Sequence, residues 1–174
     1  ISNAYLRGGM GDGGGCHPRD NIALSWLARK LNISNDFFDQ IMKQREKQTD
    51  WLVNLILENQ VDNKNNYILG KSFKPETNIT TGSPSILLDN LLQEKGIKAI
   101  TYDPYVDKKK PEFKKGVYFI GTQHEIFEKF EFPQGSVVID PFRMINKDNK
   151  GVKVIRIGDN NVYWPNSYIK CISY

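Results

Sequence analysis

Cys16, His17, Arg19 and Asp20 place a thiol, an imidazole, a guanidinium and a carboxylate within five residues, directly behind four glycines in the five positions Gly11 to Gly15. Glycines remove the β-carbons that hold a backbone away from a ligand, and they permit positive φ. A thiol attacks as its thiolate, which a helix N-terminus or a neighbouring cation favours. Pro18 suits a first helical turn, where its missing N–H is no loss. The stretch therefore predicts a glycine-rich turn that delivers a reactive Cys16 to the start of a helix. An ordinary flexible glycine loop with a bystander cysteine is the competing reading. Two further places pair an aromatic with a cation: Phe73-Lys74, and Phe142-Arg143 behind Asp140-Pro141. A nucleobase and its phosphates call for that pairing, although a buried ring beside a solvated charge has the same sequence. A cysteine hydrolase with Cys16 as nucleophile and His124 as base is one rival; His124 stands in an ordinary strand-to-helix turn. A zinc site from Cys16, His17, His124 and Cys171 is weaker, because only Cys16-His17 are adjacent and no pair has ligand spacing, so no metal is expected.

Helical and extended patterns surround these residues. Ile22, Ala23, Trp26, Leu27 and Leu31 recur at helical spacing, predicting an amphipathic helix of about three turns. Ser34 or Asn35 can cap a second helix, with Asp36 in its first turn. Phe38, Ile41, Met42, Arg45, Thr49, Leu52, Val53 and Ile56 carry that helix to about Gln60. Its length suits a connection between lobes or a subunit interface, or a plain core helix. Residues 61–66, polar apart from Val61, mark a boundary, which divides the chain into 1–63 and 64–174. Beyond it, strands are expected at Tyr67 to Gly70, Ile97 to Tyr102, Val117 to Ile120, Ser136 to Ile139 and Val152 to Ile157. Helices are expected around Ile86 to Leu92, closed by Gly96, and from Glu125 to Phe130. Alternating strands and helices define an α/β chain with a Rossmann-like parallel sheet, whose ligands bind outside the carboxyl ends of the strands.

The chain has 174 residues, of which 39% are hydrophobic and 25% charged, a globular balance. No apolar run approaches the ~20 residues of a membrane helix. The formal charge of +4 falls short of a nucleic-acid-binding face. Lys108-Lys109-Lys110 with Lys114-Lys115 reads as a solvated loop, so neither nucleic acid nor membrane is an expected partner. Two cysteines far apart point to a reducing cytoplasm.

With these residues in view, the chain resembles the UDP-glucose/GDP-mannose dehydrogenase family of nucleotide-sugar 6-dehydrogenases. Tyr5-Leu6, Gly9, Gly11, Gly13, Gly14 and Cys16-His17-Pro18-Arg19-Asp20 look like the family's aromatic-Leu, glycine-rich, Cys-Phe-Pro-Lys-Asp segment. Leu69-Gly70 followed by Phe73-Lys74-Pro75-Glu76-Thr77 is similar to its Leu-Gly, Phe-Lys-Pro-Asp-Thr stretch. Ser83-Pro84, Tyr102-Asp103-Pro104 and Val138-Ile139-Asp140 follow in family order. The resemblance implies oxidation of a UDP-sugar C6 alcohol to a carboxylate with two NAD, through a thiohemiacetal and thioester on Cys16. Asp20 would orient or activate the hydrolytic water, and Arg19 would stand near the NAD phosphates. Tyr5, Leu6, Gly13, Gly14, Gly15 and His17, with Phe73, Lys74 and Arg143, would hold the sugar and nucleotide. It further implies a homodimer through the central helix. It covers about the second half of a family enzyme, and the NAD-binding domain has no counterpart in the sequence, so a fragment is expected, or a stand-alone nucleotide-sugar-binding and dimerising module. Thr81 stands where the family has an arginine, and Arg143 lies one residue later than the family's arginine. The family's catalytic lysine and asparagine lie upstream of this segment. Glucose, GlcNAc, ManNAc and their uronates all remain open as the sugar, and UDP is favoured over GDP by family frequency alone.

Overall fold

The computed structural model describes residues 8–11, 13–62, 65–149 and 151–158. Helix α1 spans His17–Lys30 and α2 spans Phe37–Glu58. Strand β1 (Asn66–Leu69), helix α3 (Pro84–Glu94) and strand β2 (Ile100–Tyr102) follow, then β3 (Val117–Ile120), β4 (Val137–Asp140) and β5 (Lys153–Arg156). All pairings are parallel, in the order β2-β1-β3-β4-β5. This is the order of a flavodoxin-like sheet, whose direction of winding reverses between β1 and β3 and leaves a crevice beyond their carboxyl ends.

Side-chain alternation divides the sheet's faces. Ile68, Val117, Phe119, Val137, Ile139 and Ile155 pack beneath Leu88 and Leu92 of α3 and Leu52, Val53, Leu55 and Ile56 of α2. Tyr67, Leu69, Tyr118, Ile120 and Val138 face the other way and meet Phe127, Phe132 and Ile145. The register sets Tyr67 beside Tyr118 and Ile68 beside Phe119, so the period-two pattern is kept across neighbouring strands. Helices cover the first face. Aromatic loops cover the second: Phe130 and Phe132 lie 4.9 Å apart, and Phe132 meets Tyr118 edge-on at 5.3 Å.

Three local expectations are corrected. The cap of α2 is Asp36, not Ser34 or Asn35: its carboxylate accepts the Asp39 N–H at 3.0 Å and the Ser25 hydroxyl at 2.5 Å. One side chain thereby closes α2 and ties it to α1, and the Ser25 bond, followed by the Asp39 N–H, holds its carboxyl below the usual range. The second strand begins at Ile100, because the Ile97 N–H still closes α3 on Leu92 O at 2.9 Å and the Gly96 N–H bonds Gln93 O. Gly96 takes a φ of +73°, the left-handed residue of a Schellman ending. The expected helix over 125–130 is one 3₁₀ turn, Glu125–Phe127, since the chain extends past it to lay Phe130 and Phe132 against the sheet.

Helix α1 forms as expected, but Ser25 and Ala28 are its buried residues. Ile22, Trp26, Leu27 and Leu31 point outward, with Trp26 55% and Leu31 63% exposed.

Candidate functional site

The glycine turn lies across the carboxyl ends of β1, β3 and β4. The N–H of Gly14 donates to Gly82 O at 3.1 Å. Gly14 has a φ of +88°, and a β-carbon there would sit 2.9 Å from the Phe73 ring; one on Gly82 would sit 2.2 Å from Gly14 O. The missing side chains thus admit the protein's own backbone and Phe73. Sequence reasoning reserved that space for a ligand, and the correction is that much of it closes the turn onto the 72–84 loop.

What stays open is a cleft of about 250 Å³. One wall is glycine backbone at positions 8, 9, 11 and 13 with Met10; the other is Ser72, Phe73 and Pro75 after β1, Gly121, Thr122 and Gln123 after β3, Phe142 after β4, and Pro84. Phe73 lines it, and Lys74 stands exposed beside it, its Nζ 5.2 Å from the ring centroid. At the end of β4, Phe142 faces the cleft where sequence reasoning favoured Arg143. Arg143 takes a left-handed φ of +60° and turns toward Ile157 O, at 3.4 and 3.5 Å. The buried Asp140 carboxylate shapes this turn by accepting the Phe142 and Ile145 N–H groups at 2.9 and 2.7 Å. Burial pushes that carboxyl up, against these hydrogen bonds and the Arg156 charge.

Cys16 caps α1 in an exposed position, and its carbonyl accepts the Asp20 N–H at 2.8 Å. Asp20 and Arg19 pair with each other at 2.8 Å on the surface. The Asp20 hydrogen bond, then the charges of Asp20 and Cys16, push the guanidinium above its ordinary value. An exposed pair of this kind opens at little cost. A β-carbon on Gly15 would sit 3.7 Å from the Thr81 methyl, an ordinary contact. His17 lines a groove of about 630 Å³ between α1 and α2, with Phe37, Gln40 and Arg45, and is not among the residues lining the cleft. Tyr5, Leu6 and Cys171 lie outside the described residues.

Behind the cleft lies a buried polar cluster that sequence reasoning missed. Asp103, at the end of β2, accepts the Lys71 and Ser72 N–H groups at 2.7 and 2.9 Å and faces His124 Nε2 at 3.1 Å. Burial alone would raise its pKa, but the hydrogen bonds of His124, Lys71 and Ser72 outweigh that and lower it to about 2. His124 is fully buried, and its Nδ1 accepts the Glu76 N–H at 2.9 Å. Both ring nitrogens are engaged, so His124 has no free position to serve Cys16 as a base or to bind zinc. The visible signals were the Asp103-Pro104 strand end and a histidine directly after β3.

A parallel sheet with its winding reversal at β1 and β3, and a glycine-walled cleft over that reversal, is the architecture of a nucleotide-binding α/β domain. Over residues 67–146 the chain matches the model of the UDP-binding domain of the UDP-glucose/GDP-mannose dehydrogenase family. It is 30% identical over 106 residues to a UDP-glucose 6-dehydrogenase of Bacillus subtilis and 32% over 113 residues to that of Gallus gallus. These alignments take in 60% and 62% of this chain but 23% of each relative, so the chain spans about a quarter of the curated relatives it matches. A GDP-mannose dehydrogenase from Pseudomonas aeruginosa superposes with a TM-score of 0.70 at 21% identity, over 88% of this chain and 41% of that one. A UDP-glucose dehydrogenase from Pyrobaculum islandicum gives 0.68 at 21%, over 85% and 38%. At these identities the structures establish the shared fold.

Proposed function

We propose that the chain binds a UDP-sugar across this cleft and forms the substrate half of a nucleotide-sugar 6-dehydrogenase. The observation that carries the reading is the convergence of the glycine turn, Phe73 and Lys74 at the reversal of the sheet, with Cys16 directly after the turn. Phe73 offers a face for the base, and Lys74 a charge for the diphosphate. The cleft is smaller than the ~300–1,000 Å³ that encloses a whole small ligand. A nucleotide sugar would therefore extend out of it toward Lys74 and Cys16.

In that reaction Cys16 Sγ would add to the C6 aldehyde, and Asp20 would orient the water that hydrolyses the thioester left after oxidation. A thiolate both attacks and leaves readily, which makes serine a poor substitute. NAD, when bound, would take up the hydrides. Among the described residues Arg19 is the candidate for an NAD phosphate, and a single exposed cation is not a dinucleotide site. Residues 1–63 carry the cysteine turn and the α1–α2 pair, and 64–174 carry the nucleotide side. The outward apolar residues of α1 support pairing with a second copy through the α1–α2 face. A cytoplasmic setting suits an exposed Cys16 thiol, and no described helix is long and apolar enough to cross a membrane.

Titration calorimetry with UDP tests this reading. The folded chain takes up UDP, and Phe73→Ala weakens binding about tenfold, the scale of one lost base–ring stack. A folded chain with no UDP binding contradicts it.

A further inference from the structure

The residues that face the cleft from the β1 side stand on an arch with two feet. The near foot is Ser72, whose N–H is held by Asp103 Oδ2, as is that of Lys71. Ser72 Oγ lies within reach of both Thr77 O, at 2.5 Å, and Asp103 Oδ2, at 2.9 Å, and its single hydrogen serves the shorter contact. The far foot is Glu76, held at a φ of +55°, a conformation that a glutamate adopts only under constraint. Its N–H donates to His124 Nδ1 at 2.9 Å, and its carboxylate returns to the Glu125 N–H at 2.9 Å. A nitrogen that accepts bears no hydrogen, so the ring proton sits on Nε2 and is donated to Asp103. Tyr105 stacks on the ring at 4.7 Å and Phe127 meets its edge at 5.5 Å, which leaves the imidazole one orientation. Both feet therefore rest on one buried pair, Asp103 and His124, and Phe73, Lys74 and Pro75 span the gap between them.

We propose that His124 is a positioning residue for nucleotide recognition: by fixing Glu76 it sets the far foot of the arch and so presents Phe73 and Lys74 to the nucleoside diphosphate. This rests on the UDP-sugar reading of the cleft. It gives the buried histidine a part in affinity without contact to the ligand.

Two near-isosteric substitutions separate positioning from packing. Asn superposes its carbonyl oxygen on Nδ1 and keeps an acceptor for Glu76 while losing the donor to Asp103; Gln places an amide near Nε2 and does the reverse. Each removes one buried hydrogen bond, so thermal stability should fall by similar amounts. UDP affinity, measured on the folded 174-residue chain, should divide: His124→Gln binds about tenfold more weakly, while His124→Asn stays within about twofold of the wild type. Amide hydrogen exchange at Glu76 without ligand should quicken in His124→Gln and not in His124→Asn. Equal loss of UDP affinity in both variants, or unchanged exchange at Glu76 in His124→Gln, overturns the positioning role while leaving UDP binding in place. A wild-type chain that holds Glu76 against exchange yet binds no UDP overturns the nucleotide reading, and this role with it.

Discussion

Asp103 shows at residue scale how one buried carboxylate organises the strand ends. Its folded pKa of about 2 lies below the ~3.9 of an unfolded aspartate. The stability it contributes is thus fully present above about pH 4 and lost as pH falls through about 2; for a shift of this size that is about 2 kcal/mol. Asp140 acts with the opposite sign: burial raises its pKa, so its contribution shrinks as pH climbs past the ordinary carboxylate range. Urea unfolding between pH 5 and pH 2 should show stability falling with acid, and Asp103→Asn should flatten that slope and cost about 2 kcal/mol at neutral pH. A slope unchanged by the substitution would place the acid sensitivity elsewhere. At this scale the sequence announced Cys16, Phe73 and Lys74 through residue type and local order. It offered His124 only as a base or a zinc ligand and did not show its bonds to Asp103 and Glu76, because those partners come from segments distant in the chain. It also favoured Arg143 over Phe142, and the left-handed turn at Arg143 that exchanges them leaves no mark in composition.

The elements were legible where periodicity and end signals agreed. α3 runs from the Ser83 cap and Pro84 to a Schellman ending at Gly96, and β1, β3 and β4 read as short apolar runs. Boundaries moved where tertiary partners competed. Asp36 outbid its neighbours as the cap of α2 because its carboxylate serves the Asp39 N–H and the Ser25 hydroxyl together, with Arg29 3.6 Å away. Asp36→Ala should therefore cost more than the loss of an ordinary cap, because the bond to α1 is lost with it. Thermal denaturation of the variant, alone and with Ser25→Ala, checks this: coupled losses are expected, and strictly additive ones would mean that the two bonds act independently. Glu125 to Phe130 failed as a helix because its aromatic spacing suits a sheet cover, which helical periodicity does not distinguish.

For the whole molecule, the parallel character of the sheet followed from alternating strands and helices, whereas its strand order and the outward apolar face of α1 did not. Spacing defines a stripe without saying what covers it. Ile22, Trp26, Leu27 and Leu31 are each more than 40% exposed, and large apolar side chains gathered on one exposed element are a candidate interaction surface. If a second copy covers it, sedimentation velocity should show a concentration-dependent dimer that Trp26→Asp converts to monomer with the circular dichroism unchanged; a wild-type monomer at all concentrations would rule that pairing out. Helix α2 joins this face to the other half of the molecule. Its last turns, through Leu52, Val53, Leu55 and Ile56, form part of the roof of the sheet, while its first turns hold α1 through Asp36. Cutting the chain near residue 63 would therefore not release a finished nucleotide-binding unit. It would unroof the sheet, and any expression boundary meant to isolate that unit has to begin upstream of α2.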